Sequence, residues 1–242
     1  MSTRNKKEIP KVTDLRILDV KKPKSNWVSV NDMLPAIPSC VLFISPPASG
    51  KTLLLINWVY RMYAGVFDEI WWCSPTINLD NTAKTSVNID ETINKITDPD
   101  DLENLDHIIT NIIETQKKKL EDGEDLDEVL LILDDCLAFV NKKALLNLCT
   151  QYRHLRITVW ISIQKMKMLN NTLRTCASDI ISFAIPNRKQ RDMFFEEYDS
   201  FPDVEKYYEE STNTKYNYMR MNLRDMKIYH GSPDGIKMIY EK

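Results

Sequence analysis

The sequence predicts an α/β fold, with a mostly parallel central sheet flanked by helices and a hairpin near the C-terminal end. Segments with helical spacing alternate with strands, and this alternation implies a layered sheet with parallel strands. Polar residues follow several of the strands, and a parallel sheet collects such residues at one edge. The predicted strands are short, mainly apolar runs, as buried parallel strands require, at 40–44, 69–73, 129–133, 157–163 and 180–185.

The composition is that of a globular protein with one substantial core. Of the 242 residues, 43% are hydrophobic and 28% are charged. We predict a basic N-terminal arm and edge segment at 1–37, followed by a single folded domain at 38–242. No apolar run approaches the roughly 20 residues that span a bilayer, and the polar start of the chain is not a secretory signal. We therefore expect a protein that is not secreted and has no membrane partner, with its five cysteines reduced.

The first two strands enclose a predicted helix. The strand 40–44 runs into a loop of Pro, Ser and Gly, and the helix follows over 52–63, where the residues are apolar nearly all round, as in a buried helix. After the strand 69–73, a second helix begins at Asp98-Pro99, because Asp caps a helix well and Pro suits its first position. This helix stops at Gly123.

The remaining elements complete the alternation. The strand 129–133 runs into Asp134-Asp135, and the strand 157–163 runs into Gln164. The other predicted elements are helices at 141–152 and 188–210 and a hairpin formed by 216–221 and 226–230.

The segment between the first strand and the first helix predicts a phosphate-binding loop, because a strand, a tight loop and a helix are the context that such a loop needs. Its residues are Ser45, Pro46, Pro47, Ala48, Ser49, Gly50, Lys51 and Thr52. Backbone N–H groups of the loop and of the helix start point at the phosphates. Gly50 permits close approach, Lys51 places a charge on the β- and γ-phosphates, and the Thr52 hydroxyl binds Mg²⁺. We therefore predict ATP and Mg²⁺ as the cofactors.

Ser45 departs from the usual pattern of such loops, which opens with Gly. Ser fits this position if the backbone does not need a positive φ there, and Pro46 and Pro47 stiffen the loop by fixing two φ angles. The alternative is a strand, turn and helix that bind no nucleotide and contain the sequence Gly-Lys-Thr by chance. A second nucleotide motif further along the chain argues against this alternative.

That second motif is the apolar run that ends in Asp134 and Asp135, which is typical of a Walker B strand. Asp134 is predicted to hold Mg²⁺ through water, and Asp135 stands where a general base activates the attacking water. Many ATPases of this layout carry Glu at the second position, and Asp is one methylene shorter. The alternative role for either carboxylate is to cap the next helix.

Gln164 and a group of arginines complete the predicted catalytic set. Gln164 ends an apolar strand at the edge where ligands bind and is placed to reach the γ-phosphate or the water. A solvated loop glutamine is the alternative. Hydrolysis also needs positive charge on the developing transition state, which an arginine finger supplies. The first candidate is Arg153 and the second is Arg174, with Arg156 behind them, and each is otherwise a charge that faces solvent or DNA.

Charge is segregated along the chain although its sum is only −3. Residues 1–30 carry eight basic and three acidic side chains, residues 90–130 carry four and fourteen, and residues 141–191 carry ten and one. A basic segment of this kind suits non-specific contact with nucleic-acid phosphates. An equally supported alternative is that the basic segment forms a solvated face, whose positive charge the acidic segment at 90–130 balances.

Together these motifs resemble those of the HerA/FtsK-type genome-packaging ATPases of large DNA viruses and their virophages, the poxvirus-type packaging ATPases among them. The resemblance covers roughly 38–230. Its more specific part is the combination of Ser-Pro-Thr at 74–76, Arg-His at 153–154 and Gln164 directly after a strand.

The resemblance implies a P-loop ATPase domain of the additional-strand type, with the strand 157–163 inserted between the Walker A and Walker B strands. It also implies a homo-oligomeric ring, pentameric or hexameric, that moves double-stranded DNA into a preformed capsid at its portal vertex. In such a ring an arginine of one subunit completes the site of the next. The expected location is the host cytoplasm, at a viral factory, or the virion.

Two other functions stay open from the residues alone. A small-molecule kinase shares the P-loop, but Asp135 and Gln164 favour water as the acceptor. A non-hydrolysing nucleotide-binding assembly factor is consistent with Ser45 and with the shorter carboxylate at Asp135.

Overall fold

The computed structural model of the chain describes residues 29–79, 91–136, 138, 142–169 and 171–242. Residues 1–28 of the predicted basic N-terminal arm and edge segment at 1–37 lie outside these residues. No helix within the described ranges is long and apolar enough to cross a membrane.

The strands of the described residues form one large sheet. They are β1 (Cys40–Ile44), β2 (Glu69–Cys73), β3 (Ile93–Ile96), β4 (Val129–Asp134), β5 (Ile157–Ile163), β6 (Asp179–Phe183), β7 (Tyr218–Asn222), β8 (Lys227–Ser232) and β9 (Gly235–Glu241). Their order in the sheet is β3-β2-β4-β5-β1-β6-β7-β8-β9. The first six in this order are parallel and the last three are added antiparallel. The predicted mostly parallel α/β sheet is confirmed.

Helices connect the strands across both faces of the sheet. They are α1 (Lys51–Asn57), α2 (Pro99–Glu103), α3 (Leu105–Asp122), α4 (Lys142–Gln151), α5 (Asn171–Cys176), α6 (Arg188–Glu197) and α7 (Val204–Thr212). The helix α1 continues as a π-helical turn over Trp58–Met62, and a short 3₁₀ turn covers Met166–Met168.

The side chains of β1 alternate between two cores, one on each face of the sheet. Cys40, Leu42 and Ile44 lie in the core that includes apolar residues of α3 and α4, whereas Val41 and Phe43 lie in the core that includes α1. Successive residues of a strand point to opposite faces. Because both faces are covered, the whole strand is buried, and it therefore reads as a continuous apolar run.

The strand β5 lies between β1 and β4, as the resemblance implied. Ile161 of β5 is opposite Leu42 of β1 on one side and Leu133 of β4 on the other, and both pairings are parallel. The three strands therefore end side by side. We call this end of the sheet the carboxyl edge and the opposite end, where β1, β4 and β5 begin, the amino edge.

Two predicted helices are each divided in the structure. Asp98 does cap the first of them, and its Oδ1 accepts a hydrogen bond from the Asp100 N–H at 2.9 Å. This helix ends at Asn104, whose φ of −93° and ψ of 12° separate α2 from α3. The helix predicted over 188–210 is broken between α6 and α7 at Pro202, since proline has no N–H to donate and disfavours helical backbone before it.

Two strands have no counterpart in the sequence prediction. The strand β3 has four residues, of which only Ile93 is buried, so no apolar run marks it. The strand β9 lies at the end of the sheet and none of its residues is buried. The predicted C-terminal hairpin is present as β7 and β8, and β9 extends it into a three-stranded meander.

The described residues before 38 pack against the domain. Leu34 and Ile37 are buried, and the Tyr63 hydroxyl donates to the Pro35 carbonyl at 2.7 Å. The Arg220 guanidinium donates to the Met33 carbonyl at 2.8 Å. The division of the chain at residue 38 stays a prediction.

Candidate active site

The predicted phosphate loop connects β1 to α1 at the carboxyl edge. Gly50 precedes α1 with a φ of 97°, a left-handed conformation that glycine adopts at little steric cost. Ala48 also has a positive φ, of 58°, whereas Ser45 is not among the described residues with positive φ. The position that departs from the usual pattern therefore does not require glycine.

Lys51 is the first residue of α1 and bridges two carboxylates. Its Nζ lies 3.0 Å from Asp134 Oδ1 and 3.0 Å from Asp135 Oδ2. Burial of the ammonium lowers the pKa of Lys51, but the two carboxylates together outweigh this effect, and the pKa is raised above its ordinary value. The lysine is therefore cationic at neutral pH.

Asp134 is held by a serine of the neighbouring strand. Ser162 of β5 is the register partner of Asp134, and its Oγ donates to Asp134 Oδ1 at 2.6 Å. Both residues are buried. Ser162 was not predicted as a functional residue, although a hydroxyl near the end of a largely apolar strand, two residues before Gln164, was a visible signal.

Asp135 receives two hydrogen bonds on one oxygen. Its Oδ2 accepts from Lys51 Nζ at 3.0 Å and from Gln164 Nε2 at 3.2 Å. Its φ is 55°, a conformation that costs a non-glycine residue about 1 kcal/mol or more and is kept where its surroundings determine it. The next described helix begins only at Lys142, so Asp135 does not cap it. The structure thus brings Lys51, Asp135 and Gln164 together.

These groups line one cleft of about 480 Å³ at the carboxyl edge. Residues 46–53 form one side of it, and Asp135 and Gln164 belong to its lining. Two further lining residues, Thr76 and Tyr216, were not among the predicted site residues. Thr76 lies in the turn after β2 that contains Ser-Pro-Thr, and Tyr216 lies in the loop before β7.

The oxygen atoms at this edge fit a magnesium ion that arrives with a nucleotide. Magnesium prefers oxygen ligands and is usually held by one or two carboxylates together with substrate phosphates. The Thr52 hydroxyl and the Asp134 and Asp135 carboxylates are such donors, and the Lys51 ammonium already bonds to both carboxylates. Within the described residues, no group of three or more His, Cys, Asp or Glu side chains forms a site made by the protein alone.

None of the three candidate arginines lines the cleft. Arg153 is exposed and precedes β5, at the amino edge, with its guanidinium 5.8 Å from the centre of the Tyr152 ring. The six residue steps of β5 separate the two edges by about 20 Å. Arg174 Nε lies 3.4 Å from Glu197 Oε1, its guanidinium also bonds to Asn171, and only 14% of its side chain is exposed.

The basic segment at 141–191 is divided between the two edges of the sheet. Four exposed basic residues follow β5 or β6 at the carboxyl edge, namely Lys165, Lys167, Arg188 and Lys189. Arg156 lies at the amino edge and its Nε is 3.7 Å from Glu128 Oε1. Part of the excess charge is therefore neutralised within the chain.

Three features define a P-loop ATPase of the additional-strand type. They are the phosphate loop after β1, the two carboxylates at the end of β4, and the strand β5 that lies between β1 and β4. Solved structures share this fold. The DNA-packaging ATPase B204 of Sulfolobus turreted icosahedral virus is 16% identical, with a TM-score of 0.58 over 81% of this chain and 98% of that one. The genome-packaging NTPase B204 of Sulfolobus turreted icosahedral virus 2, in complex with ATP-γ-S, is 13% identical, with the same TM-score and coverage. The conjugation coupling protein TcpA of pCW3 is 13% identical, with a TM-score of 0.52 over 78% of this chain and 58% of that one.

Residues 31–197 match the family described as poxvirus A32 protein, and the chain belongs to this family. A search of curated proteins found no match. Family membership confirms the resemblance found in the sequence and, with it, the predicted class of function, an ATPase that packages DNA.

Proposed function

We propose that the cleft at the carboxyl edge hydrolyses ATP and that the reaction drives double-stranded DNA into a capsid. One observation carries the assignment of the site: Lys51 Nζ lies 3.0 Å from both Asp134 and Asp135, and Gln164 Nε2 lies 3.2 Å from the same Asp135 oxygen. A cation site, a candidate base and an amide that orients water thus meet in one cleft.

The loop supplies the phosphate contacts in this proposal. Backbone N–H groups at the start of α1 bind phosphate oxygens, and the turn at Gly50 lets them approach. The hydroxyls of Ser45 and Ser49 are buried with no hydrogen-bond partner among the described residues, and phosphate oxygens are acceptors for groups of this kind. Lys51 exchanges its carboxylate partners for oxygens of the β- and γ-phosphates.

Thr52 and Asp134 would hold Mg²⁺, which neutralises charge on the β- and γ-phosphates. Once Lys51 has moved to the phosphates, Asp135 still accepts the hydrogen bond of Gln164. The Gln164 amide orients a water molecule, and Asp135 Oδ2 accepts a proton from it as the water oxygen attacks the γ-phosphorus. The bond to the ADP oxygen breaks, and the products are ADP and inorganic phosphate.

A second subunit completes the site in this proposal. Arg153 is exposed at the amino edge, about 20 Å from the carboxyl edge of its own subunit, so its guanidinium serves the cleft of a neighbour. Arg174 suits this role less well, because Glu197 and Asn171 hold it within its own subunit. A homo-oligomeric ring, pentameric or hexameric, provides the neighbour.

Contact with DNA is assigned to the exposed basic residues at the carboxyl edge. Lys165, Lys167, Arg188 and Lys189 offer charge to backbone phosphates without reading bases, as a motor that moves along any sequence requires. The proposal also includes a portal vertex as the capsid partner and a location at the viral factory or in the virion. It further includes a basic arm before residue 38.

The test is the ATPase rate with and without long double-stranded DNA. We expect the wild type to be stimulated by DNA and Lys51→Ala to lose about 100-fold or more in rate, since it lacks a charge that stabilises the transferred phosphoryl group. Lys237→Ala, which removes an exposed lysine of β9, is the matched control and should retain activity. Turnover that needs a small-molecule acceptor would identify a kinase instead, and tight ATP binding without turnover would identify a non-hydrolysing assembly factor.

A further inference from the structure

A second cavity, of about 520 Å³, adjoins the phosphate cleft. It lies between α1 with its π-helical turn, the ends of β6 and β7, and the turn between β8 and β9. Its apolar walls include Leu54, Met62, Phe183 and Tyr218. Apolar walls with a few polar groups are typical of cavities that hold small organic ligands.

The two cavities meet at three residues, Gly50, Leu53 and Tyr216. The second cavity has neither Asp135 nor Gln164 in its lining. It therefore continues the cleft past the phosphate loop on the side that does not carry the catalytic carboxylate.

An aromatic ring stands at this junction. A Cβ atom built on Gly50 would lie 2.8 Å from Tyr216 Cδ1, so the ring packs directly against the glycine of the loop. Tyr216 is 46% exposed and Leu53 is 50% exposed, although both are large and apolar. Lys215 Nζ lies 4.7 Å from the centre of the Tyr216 ring. Exposed apolar side chains at the mouth of a cavity indicate a surface that a ligand covers.

The direction of the nucleotide in the cleft follows from its chemistry. In the proposed function the γ-phosphate lies at Asp135 and Gln164, so the α-phosphate and the nucleoside extend towards Gly50 and Leu53. Along α1, Asn57 of the second cavity lies six residues beyond Lys51, which is about 9 Å of helix. A nucleoside joined to phosphates at the start of α1 therefore reaches the second cavity.

We infer that the second cavity holds the nucleoside of ATP, with its base against the Tyr216 ring and the Leu53 side chain. The inference rests on the proposed function, since the position of the triphosphate fixes the direction. The ring offers a π face on which a base stacks, and the apolar walls exclude water from the other side of the base.

The test compares two ligands that share the phosphates. Binding of a non-hydrolysable ATP analogue and of inorganic tripolyphosphate, each with Mg²⁺, is measured by calorimetry for the wild type, Tyr216→Ala and Tyr216→Phe. We expect Tyr216→Ala to weaken binding of the analogue by about tenfold or more and to leave binding of tripolyphosphate unchanged, because only the analogue has a base to stack. Tyr216→Phe keeps the ring and should bind both ligands within about twofold of the wild type.

A second variant guards against misfolding. Leu53 is half exposed, so Leu53→Ala should fold. We expect this variant to weaken binding of the analogue by about threefold and to have no effect on binding of tripolyphosphate. Equal loss of both ligands in the Tyr216→Ala and Leu53→Ala variants, or unchanged or tighter binding of the analogue, overturns the inference. Loss of tripolyphosphate binding in Lys51→Ala is the separate check on the phosphate site, and its absence would contradict the proposed function itself.

Discussion

The two edges of the sheet use charged side chains in different ways. At the carboxyl edge the charged and polar groups of α1, β4 and β5 converge on one another. Lys51 bridges Asp134 and Asp135, and Ser162 holds Asp134 from the strand between them. Each group is oriented by a partner before any ligand binds, which is the preorganisation that electrostatic catalysis requires.

At the amino edge, ion pairs tie helices and loops to the sheet. Lys119 at the end of α3 pairs with Asp127 before β4, and Arg156 pairs with Glu128. Arg153 is exposed at the same edge. One edge therefore gathers the predicted catalytic groups of the subunit, whereas the other carries an exposed arginine outside the cleft.

The largest effect is expected from Arg153→Ala. If the arginine acts on a neighbour, the variant should bind ATP normally and lose about 1,000-fold in hydrolysis, the loss seen when an arginine finger is absent. Mixing it with Lys51→Ala subunits should restore part of the rate, because some clefts then combine an intact loop with an intact arginine. The measurement is the steady-state rate against the ratio of the two variants.

Arg153→Lys is the matched control, and we expect it to stay slow because lysine lacks the planar fork of arginine. Full activity of Arg153→Ala by itself would remove the distinction between the edges. A lack of ATP hydrolysis in mixed rings that contain both variants would also remove this distinction.

The second-largest effect on the rate is expected from Asp135→Asn, which changes the carboxyl edge alone. The amide cannot accept the proton of water, so we expect about a 100-fold lower rate at saturating ATP with little change in nucleotide affinity. Single-turnover kinetics and equilibrium binding separate the two quantities. Asp135→Glu retains a carboxylate and should keep much of the rate, whereas an Asn variant as fast as the wild type would show that the base lies elsewhere.

The smallest effect is expected from Ser162→Ala, which removes a partner of Asp134 and leaves the carboxylate in place. Loss of such a supporting hydrogen bond should raise the Mg²⁺ concentration for half-maximal activity about tenfold, with the maximal rate largely retained. Ser182→Ala on β6 is the control, since this buried serine bonds to the backbone of Phe183. Equal Mg²⁺ requirements for the two variants would contradict the role assigned to Ser162.

Much of the fold could be predicted because its signals are local. The strands β1, β4 and β5 are buried on both faces and therefore appear as continuous apolar runs. The strand β3 is short and largely polar, and β9 is exposed at the end of the sheet, so neither has a pattern that sequence reasoning detects. The break at Pro202 was readable from the residue itself, whereas the break at Asn104 was not.

The sequence by itself determined the loop from Ser45 to Thr52 and the acidic pair at 134–135, since each of these motifs is recognised from residues that are adjacent in the chain. Only the tertiary structure decided that Ser162 bonds to Asp134, that Tyr216 packs against Gly50, and that Arg153 lies at the opposite edge of the sheet from the cleft. These relations depend on strand order and register, which join residues far apart in the chain. No periodicity within one segment records which strand will lie beside it.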